Sequence, residues 1–93
     1  MTTHRIYQPS TSVPTQITPN GTHSGLDITI QNVNDSGHIY VGGDGVTSSN
    51  YGYRILPNHA ISFELNGRDD LYIVAENTGM NVAVIQIKLE DGQ

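Results

Sequence analysis

The sequence predicts a small all-β domain, an antiparallel β-sandwich or barrel of six to seven strands with an extended N-terminal segment. Val, Ile and Thr together supply 26 of the 93 residues while Ala supplies only three, a balance that favours strands over helices. Apolar and polar residues alternate in several windows, and no window shows the spacing of an amphipathic helix. Turn-forming residues separate these windows at short intervals, which is typical of sandwiches and small barrels.

The N-terminal segment, residues 1–22, differs from the β-sandwich domain that we predict over residues 23–93. It holds three of the four prolines, and proline removes a donor from the strand ladder, which confines it to edges and turns. Residues 4–8 and 13–17 fit three interpretations. They form edge strands of the same domain, they belong to an extended arm that lies on a neighbouring subunit, or they are disordered.

The first half of the domain contains two predicted strands and a long loop. Residues 26–33 alternate, with three aliphatic side chains on one face and polar side chains on the other. Turn formers follow at 34–37, and we expect residues 38–41 to return as the second strand of a hairpin. Residues 42–52 hold four glycines and predict an irregular loop. Val46 is its one aliphatic side chain and is expected to anchor the loop to the core.

Four further strands are predicted in the second half of the chain. They cover residues 53–56, 60–65, 71–75 and 82–89. The second of them alternates, and we expect Ile61, Phe63 and Leu65 to face inward. The third is apolar on both faces, as a central strand is. Between these two strands, Asn66-Gly67 is a strong hairpin signal.

Composition limits the possible functions. The net charge of −5 argues against nucleic acid or an anionic membrane as partner, because both require dense cationic contacts. The absence of cysteine removes disulfides, zinc–thiolate sites and thiol nucleophiles. The sequence has no run of 18 apolar residues that would predict a membrane span. It also has no apolar stretch behind Met1 that would predict a signal peptide.

We expect no catalytic, cofactor-binding or metal site, and therefore no enzyme. The four histidines lack the close spacing of metal ligands, although a site built from distant strands or about a trimer axis remains open. Gly42-Gly43-Asp44-Gly45 lacks the Lys-Ser/Thr of a phosphate loop, and no Gly-x-Ser-x-Gly elbow is present. The 29 Thr, Ser, Asn and Gln residues outnumber the 13 charged ones, a composition that suits contact with protein surfaces.

Four short segments resemble a known family. They are Ile39-Tyr40-Val41-Gly42-Gly43, Val46-Thr47-Ser48-Ser49-Asn50 with Gly52 nearby, Leu56-Pro57, and Asp70-Leu71-Tyr72-Ile73-Val74. Together they make residues 39–74 similar to small all-β structural proteins of the heads and tails of tailed bacteriophages. The sequence departs from the family pattern at Asn50-Tyr51-Gly52, where Asn-Gly is expected without the intervening tyrosine.

The resemblance implies a virion structural protein, most closely a capsid decoration (cement) protein. Such a protein binds the major capsid protein on the outer capsid surface, stabilises contacts between capsomers, and is often a homotrimer. On this interpretation the N-terminal segment adds edge-strand pairing between subunits, and Ile6, Tyr7, Val13 and Ile17 supply apolar anchors. Many weak contacts repeated over a shell would then act together by avidity.

The alternative is a carbohydrate-binding or receptor-contacting module of a phage tail fibre or spike. Tyr51 and Tyr53 flank Gly52 in the loop, and exposed aromatic rings stack on sugars or enter a protein partner. Asp44 and Asn50 would then supply hydrogen bonds. The competing interpretation is that one of these two tyrosines, with Tyr53 favoured, packs onto the end of the sandwich. A third possibility, a small hydrolase, predicts a strongly perturbed histidine or carboxylate in a cleft.

Overall fold

The computed structural model describes residues 2–18, 26–65 and 70–88, which form eight strands and no helix. The strands are β1 (Thr2–Tyr7), β2 (Thr15–Gln16), β3 (Leu26–Asn32), β4 (Ile39–Gly42), β5 (Tyr53–Ile55), β6 (Ala60–Leu65), β7 (Tyr72–Ala75) and β8 (Val82–Lys88). The all-β prediction is confirmed, with more strands than the six to seven expected. No helix long and apolar enough to cross a membrane occurs in the described ranges.

The strands form two antiparallel sheets of four. The first sheet has the order β1-β8-β3-β6, and the second sheet has the order β2-β7-β4-β5. The chain is therefore wound as four antiparallel pairs, β1–β8, β2–β7, β3–β6 and β4–β5. This is the strand order of a jelly roll, in which consecutive strands lie in opposite sheets except for β4 and β5.

Both predicted hairpins are wrong. The turn formers at 34–37 carry the chain from the first sheet to the second, where β4 pairs with β5 and β7 and not with β3. Asn66-Gly67 lies outside the described residues, but the strands on either side of it, β6 and β7, also belong to different sheets. Turn-forming residues show that the chain reverses. Long-range strand pairing decides which sheet receives the next strand.

The core lies between the two sheets. Its buried members are Ile17, Ile28, Ile30, Ile39, Val41, Ile55, Ile73, Ala75, Met80, Val82 and Val84. The alternation predicted for β3 is confirmed, since Ile28 and Ile30 are fully buried. The inward residues of β6 are only half-buried, although they pack against this core, because β6 is an edge strand. The prediction that residues 71–75 form a central strand is also confirmed, because β7 lies between β2 and β4.

Asn32 is a fully buried polar residue that ties the two sheets together. Its amide nitrogen donates to the carbonyls of Gly37 at 3.1 Å and of Ile55 at 3.0 Å. Its amide oxygen accepts from the backbone and side-chain nitrogens of Asn34, at 3.1 Å and 2.7 Å. Because the polar atoms of this side chain are paired, they fix how β3 lies against β5 without leaving an unsatisfied group in the core.

Residues 2–16 form edge strands of this same domain in the single chain. β1 pairs with β8 along its whole length, from Thr2 opposite Ile87 to Tyr7 opposite Val82. β2 pairs with β7 at the edge of the second sheet. Between them, the carbonyl of Ser10 accepts a hydrogen bond from the backbone nitrogen of Ala75 at 3.0 Å, so the connection also crosses between the sheets.

Candidate interaction surfaces

The outer face of the second sheet is covered by the glycine-rich loop. Tyr40 of β4 lies directly opposite Val74 of β7, on the face that points away from the core. Val46 of the loop packs on this pair, and all three side chains are buried. The predicted anchor is confirmed, because Val46 is buried in a second hydrophobic core cluster, which lies on the outer face of the second sheet.

Close contacts within the loop explain its composition. Thr47 and Asn50 exchange backbone hydrogen bonds of 2.8 and 3.2 Å, and the backbone nitrogen of Asn50 also donates to the Thr47 hydroxyl at 2.9 Å. A Cβ atom at Gly42 would lie only 3.0 Å from a methyl carbon of Val46. Glycine at this position therefore lets the loop fold back closely enough to bury Val46.

Tyr51 extends the covered surface outward. Its ring lies over the ring of Tyr40, with centroids 4.7 Å apart and planes tilted by 41°. This is a favourable aromatic arrangement, and it leaves 41% of Tyr51 exposed. Tyr51 also borders a shallow cleft of about 270 Å³, together with Asp44 and Asn50. Tyr53 is exposed on β5, so the aromatic contact belongs to Tyr51 and not to Tyr53.

Charged groups flank this aromatic surface. Glu76 accepts a hydrogen bond from the backbone nitrogen of His38 at 2.7 Å, and its carboxylate contacts the imidazole Nδ1 at 2.8 Å. These contacts, the backbone one first, hold the pKa of Glu76 below its ordinary value of 4.5. Burial, reinforced by the charge of Glu76, raises the pKa of Tyr40 above its ordinary value of 10.0. At neutral pH this surface therefore combines a neutral phenol with an adjacent carboxylate.

The outer face of the first sheet carries exposed apolar side chains. Ile6 is 60% exposed, Ile85 41% and Ile87 44%. The β1–β8 register places Ile6 opposite Ala83 and His4 opposite Ile85, so these side chains share one face. We call Ile6, Ala83, Ile85 and Ile87 the apolar stripe. Contiguous apolar surface of this kind typically marks an interaction site.

Uncharged polar groups border most of the apolar stripe. Gln31 of β3 lies opposite Ala83, and Thr29 lies opposite Ile85. The Thr29 hydroxyl is 2.8 Å from the hydroxyl of Ser62 on the next strand. Acidic residues border the Ile87 end of the stripe, where Asp27 lies opposite both Ile87 and Glu64. The stripe is thus rimmed mainly by groups that can be desolvated at lower cost than charges.

The apolar stripe could not be predicted from the alternation of residues in β8. The outward face of this strand carries Ala83, Ile85 and Ile87, whereas the inward face includes Gln86 between the sheets. The more apolar face of the strand therefore points away from the core. The structure accommodates Gln86 because its side-chain amide donates to the backbone carbonyl of Ile17.

The other residues predicted at an interface lie in different environments. Tyr7 is half-buried against the core, and the Arg5 guanidinium lies 4.9 Å from the centre of its ring. Val13 is exposed on the connection between β1 and β2. Ile17 is fully buried in the core, so it holds its own domain together and offers no surface to a partner in this structure. Of the N-terminal set, only Ile6 belongs to the stripe.

No protein-family model matches the chain, and no curated protein is found to be similar to it. Within residues 2–18, 26–65 and 70–88, no group of three or more His, Cys, Asp or Glu side chains is placed to hold a metal ion. The two outer faces are therefore the features from which we infer a function.

Proposed function

We propose that this chain is a virion structural protein of the capsid decoration type, located on the capsid surface. It binds the major capsid protein through the outer face of its first sheet. The observation that carries this proposal is the apolar stripe, in which Ile6, Ile85 and Ile87 are each 41–60% exposed. When a partner covers isoleucine side chains grouped in this way, binding becomes more favourable because apolar surface is removed from water.

The size of the apolar stripe suits a contact repeated many times. Covering a half-exposed isoleucine contributes roughly 1 kcal/mol, because burying a fully exposed one contributes about twice that. Three such residues give about 3 kcal/mol, which is less than the usual cost of immobilising a protein on a partner. A single copy would bind weakly by this contact alone. Identical copies that hold one another and adjacent capsid subunits would bind together by avidity.

Two further observations support the proposal by analogy. The strand order is that of a jelly roll, an architecture that recurs in viral capsid domains. Residues 39–74 also resemble small structural proteins of tailed phages. Since jelly rolls also serve as lectins, the fold does not by itself choose between functions. The choice rests on the apolar stripe.

Quantitative mass spectrometry of purified particles tests the proposal. The particles are those of the virus that carries this sequence, and the measured quantity is the ratio of this chain to the major capsid protein. We expect a ratio near one, or a simple fraction set by the symmetry of the shell. A handful of copies per particle would point to the tail, and complete absence from particles would overturn a virion role.

The second candidate is a carbohydrate-binding or receptor-contacting module, and the loop favours it. Tyr51 presents an exposed ring, held in place by Tyr40, beside a cleft that Asp44 and Asn50 border. Such a ring can stack on a sugar while the polar side chains bind its hydroxyl groups. Glycan-array binding that Tyr51→Ala abolishes and Tyr53→Ala retains would support this function. Absence of binding on a broad array would contradict it.

A further inference from the structure

The first sheet ends in two edges of equal length. Among the described residues, β1 pairs only with β8 and β6 only with β3, and each of the two edge strands has six residues. The second sheet ends instead in strands of two and three residues. Neither long edge contains proline or lysine, which usually protect a free edge from pairing. The long edges are therefore templates for a further strand.

The two edges also match in direction and facing. In an antiparallel sheet of four strands the edge strands run in opposite directions, so β1 of one copy meets β6 of a similarly oriented copy antiparallel. His4 and Ile6 face outward on β1, as Ser62 and Glu64 do on β6. The strand pairs that connect β1 to β6 contain no bulge. The unpaired backbone N–H and C=O groups at the two edges therefore belong to residues whose side chains point to the same side of the sheet. A pairing that aligns the faces therefore also aligns donors with acceptors.

We propose that β1 of one copy adds to β6 of the next copy, so that this chain assembles with itself through a continuous first sheet. The register places His4 of one copy opposite Glu64 of the next. It then also places Ile6 opposite Ser62 on the outer face.

Charge selects this register. Asp27 and Glu64 lie opposite each other on adjacent strands, and like charges in this position repel. The next copy's His4 brings an imidazole to this acidic pair. A shift of two residues would place His4 opposite Ser62 and leave the acidic pair without that contact.

The inward residues of the joint support the same register. Ile61 and Phe63 of β6 are only half-buried, although they pack against the core. In the proposed pairing Tyr7 of the next copy lies opposite Ile61, and Arg5 lies opposite Phe63. Arg5 already contacts the aromatic ring of Tyr7 within its own chain, so its guanidinium is placed beside aromatic surface. The added strand would cover apolar side chains that a single chain leaves partly in water.

A cysteine pair tests the register directly. The chain contains no cysteine, so Ile6→Cys/Ser62→Cys introduces the thiols under study and no others. The two positions lie three strand spacings apart in one chain, roughly 14 Å, which is too far for an internal disulfide. We expect mild oxidation to give a reducible ladder of covalent multimers.

The control is Ile6→Cys/Gln31→Cys, which keeps one thiol at the joint and moves the other to an interior strand on the same face. It should form few covalent multimers after the same oxidation. A ladder no stronger than that of the control would overturn the proposed pairing.

A charge exchange tests the assembly without covalent trapping. The mass of the wild type, measured by light scattering over a dilution series, should rise above the 10.1 kDa monomer as concentration increases. His4→Asp places a third carboxylate at the joint and should raise the dissociation midpoint by about tenfold or more. Adding Glu64→Lys to it should restore assembly, whereas Gln31→Asp, an equal charge change away from the joint, should leave assembly unchanged.

A wild type that is monomeric at every concentration, or a double variant that shows no rescue, would overturn the inference. This result is distinguishable from failure of the proposed function. A monomer that still binds capsids through the apolar stripe would contradict the edge pairing alone. Stripe variants that assemble and still decorate capsids would contradict the capsid-binding surface alone.

Discussion

The outer faces of the two sheets differ in how far their apolar side chains are exposed. On the second sheet, the glycine-rich loop folds back and buries Tyr40, Val46 and Val74 in a small cluster outside the main core. On the first sheet, Ile6, Ile85 and Ile87 lie on the corresponding outer face and remain 41–60% exposed. Both faces carry apolar residues at outward positions, but only one of them is covered by a segment of the described chain.

This difference shows what apolar residues at outward positions can be used for. On the second sheet, burial of the apolar side chains under the glycine-rich loop contributes to folding. The loop then forms the exposed surface, on which Tyr51 lies. Where the described residues supply no cover, the apolar surface remains available to a partner. The comparison therefore separates a structural outer face from a candidate binding face within one small domain.

The largest expected effect comes from removing the buried hydrogen bonds that connect the two sheets. Asn32→Ala removes a buried side chain whose four hydrogen bonds connect β3 to Ile55 and to the turn at 34–37. It also leaves buried carbonyls unpaired, so we expect a loss of about 3 kcal/mol in the free energy of unfolding. Urea denaturation measures this loss. A change below about 1 kcal/mol would show that Asn32 does not hold the sheets together.

A matched pair of substitutions tests the comparison itself. Val74→Thr replaces a buried methyl group on the covered face with an unpaired hydroxyl and should cost about 2 kcal/mol of stability. Ile85→Thr makes a similar change on the exposed stripe and keeps a β-branched residue, so stability should change by less than about 0.5 kcal/mol. Thermal unfolding compares the two. Equal losses would mean that the two faces are not different in the folded chain.

The aromatic contact of Tyr51 gives a smaller effect. Tyr51→Ala removes the ring that lies 4.7 Å from Tyr40, and we expect a loss of about 1 kcal/mol. Tyr53→Ala, at an equally exposed position without such a contact, is the control and should lose less. Denaturation by urea again reports the result. The same or a larger loss in the control would show that the ring contact does not stabilise the loop.

The smallest expected effect concerns pH. Because hydrogen bonds from His38 lower the pKa of Glu76, the carboxylate stabilises the fold above its ordinary value of 4.5, and this contribution is lost as pH falls through the lower folded pKa. The wild type should therefore be slightly more stable than Glu76→Gln at neutral pH, and the difference should vanish in acid. NMR titration of Glu76 should give a midpoint below 4.5. A midpoint above it would contradict the contact.

Much of the fold follows from local sequence pattern. The β class, the central strand at 71–75 and the alternation of Ile28 and Ile30 could all be predicted, because periodicity and composition report how each strand is buried. The sheet assignment could not, because a turn such as that at 34–37 has the same residues whether it closes a hairpin or crosses between sheets. The order of the jelly roll depends on long-range pairing that no window of sequence contains.

The candidate surfaces divide in the same way. Ile6 and Tyr51 could be proposed from sequence because an isoleucine in a proline-rich segment and a tyrosine in a glycine-rich loop lack a clear place in a core. Ile85 and Ile87 could not, because they form the more apolar face of their strand, and pattern alone would place that face inward. Ile17, proposed as an anchor for a partner, is instead fully buried in its own core.

The most direct test of the central claim is to place a charge on the apolar stripe and measure binding to capsids. Ile85→Asp should fold with near wild-type stability and lose decoration of capsids by about tenfold or more, as measured by co-sedimentation with particles that lack the wild-type chain. Thr78→Asp makes an equal change of charge at an exposed turn and should bind normally. Undiminished binding of a folded Ile85→Asp protein would contradict the claim that the outer face of the first sheet binds the capsid.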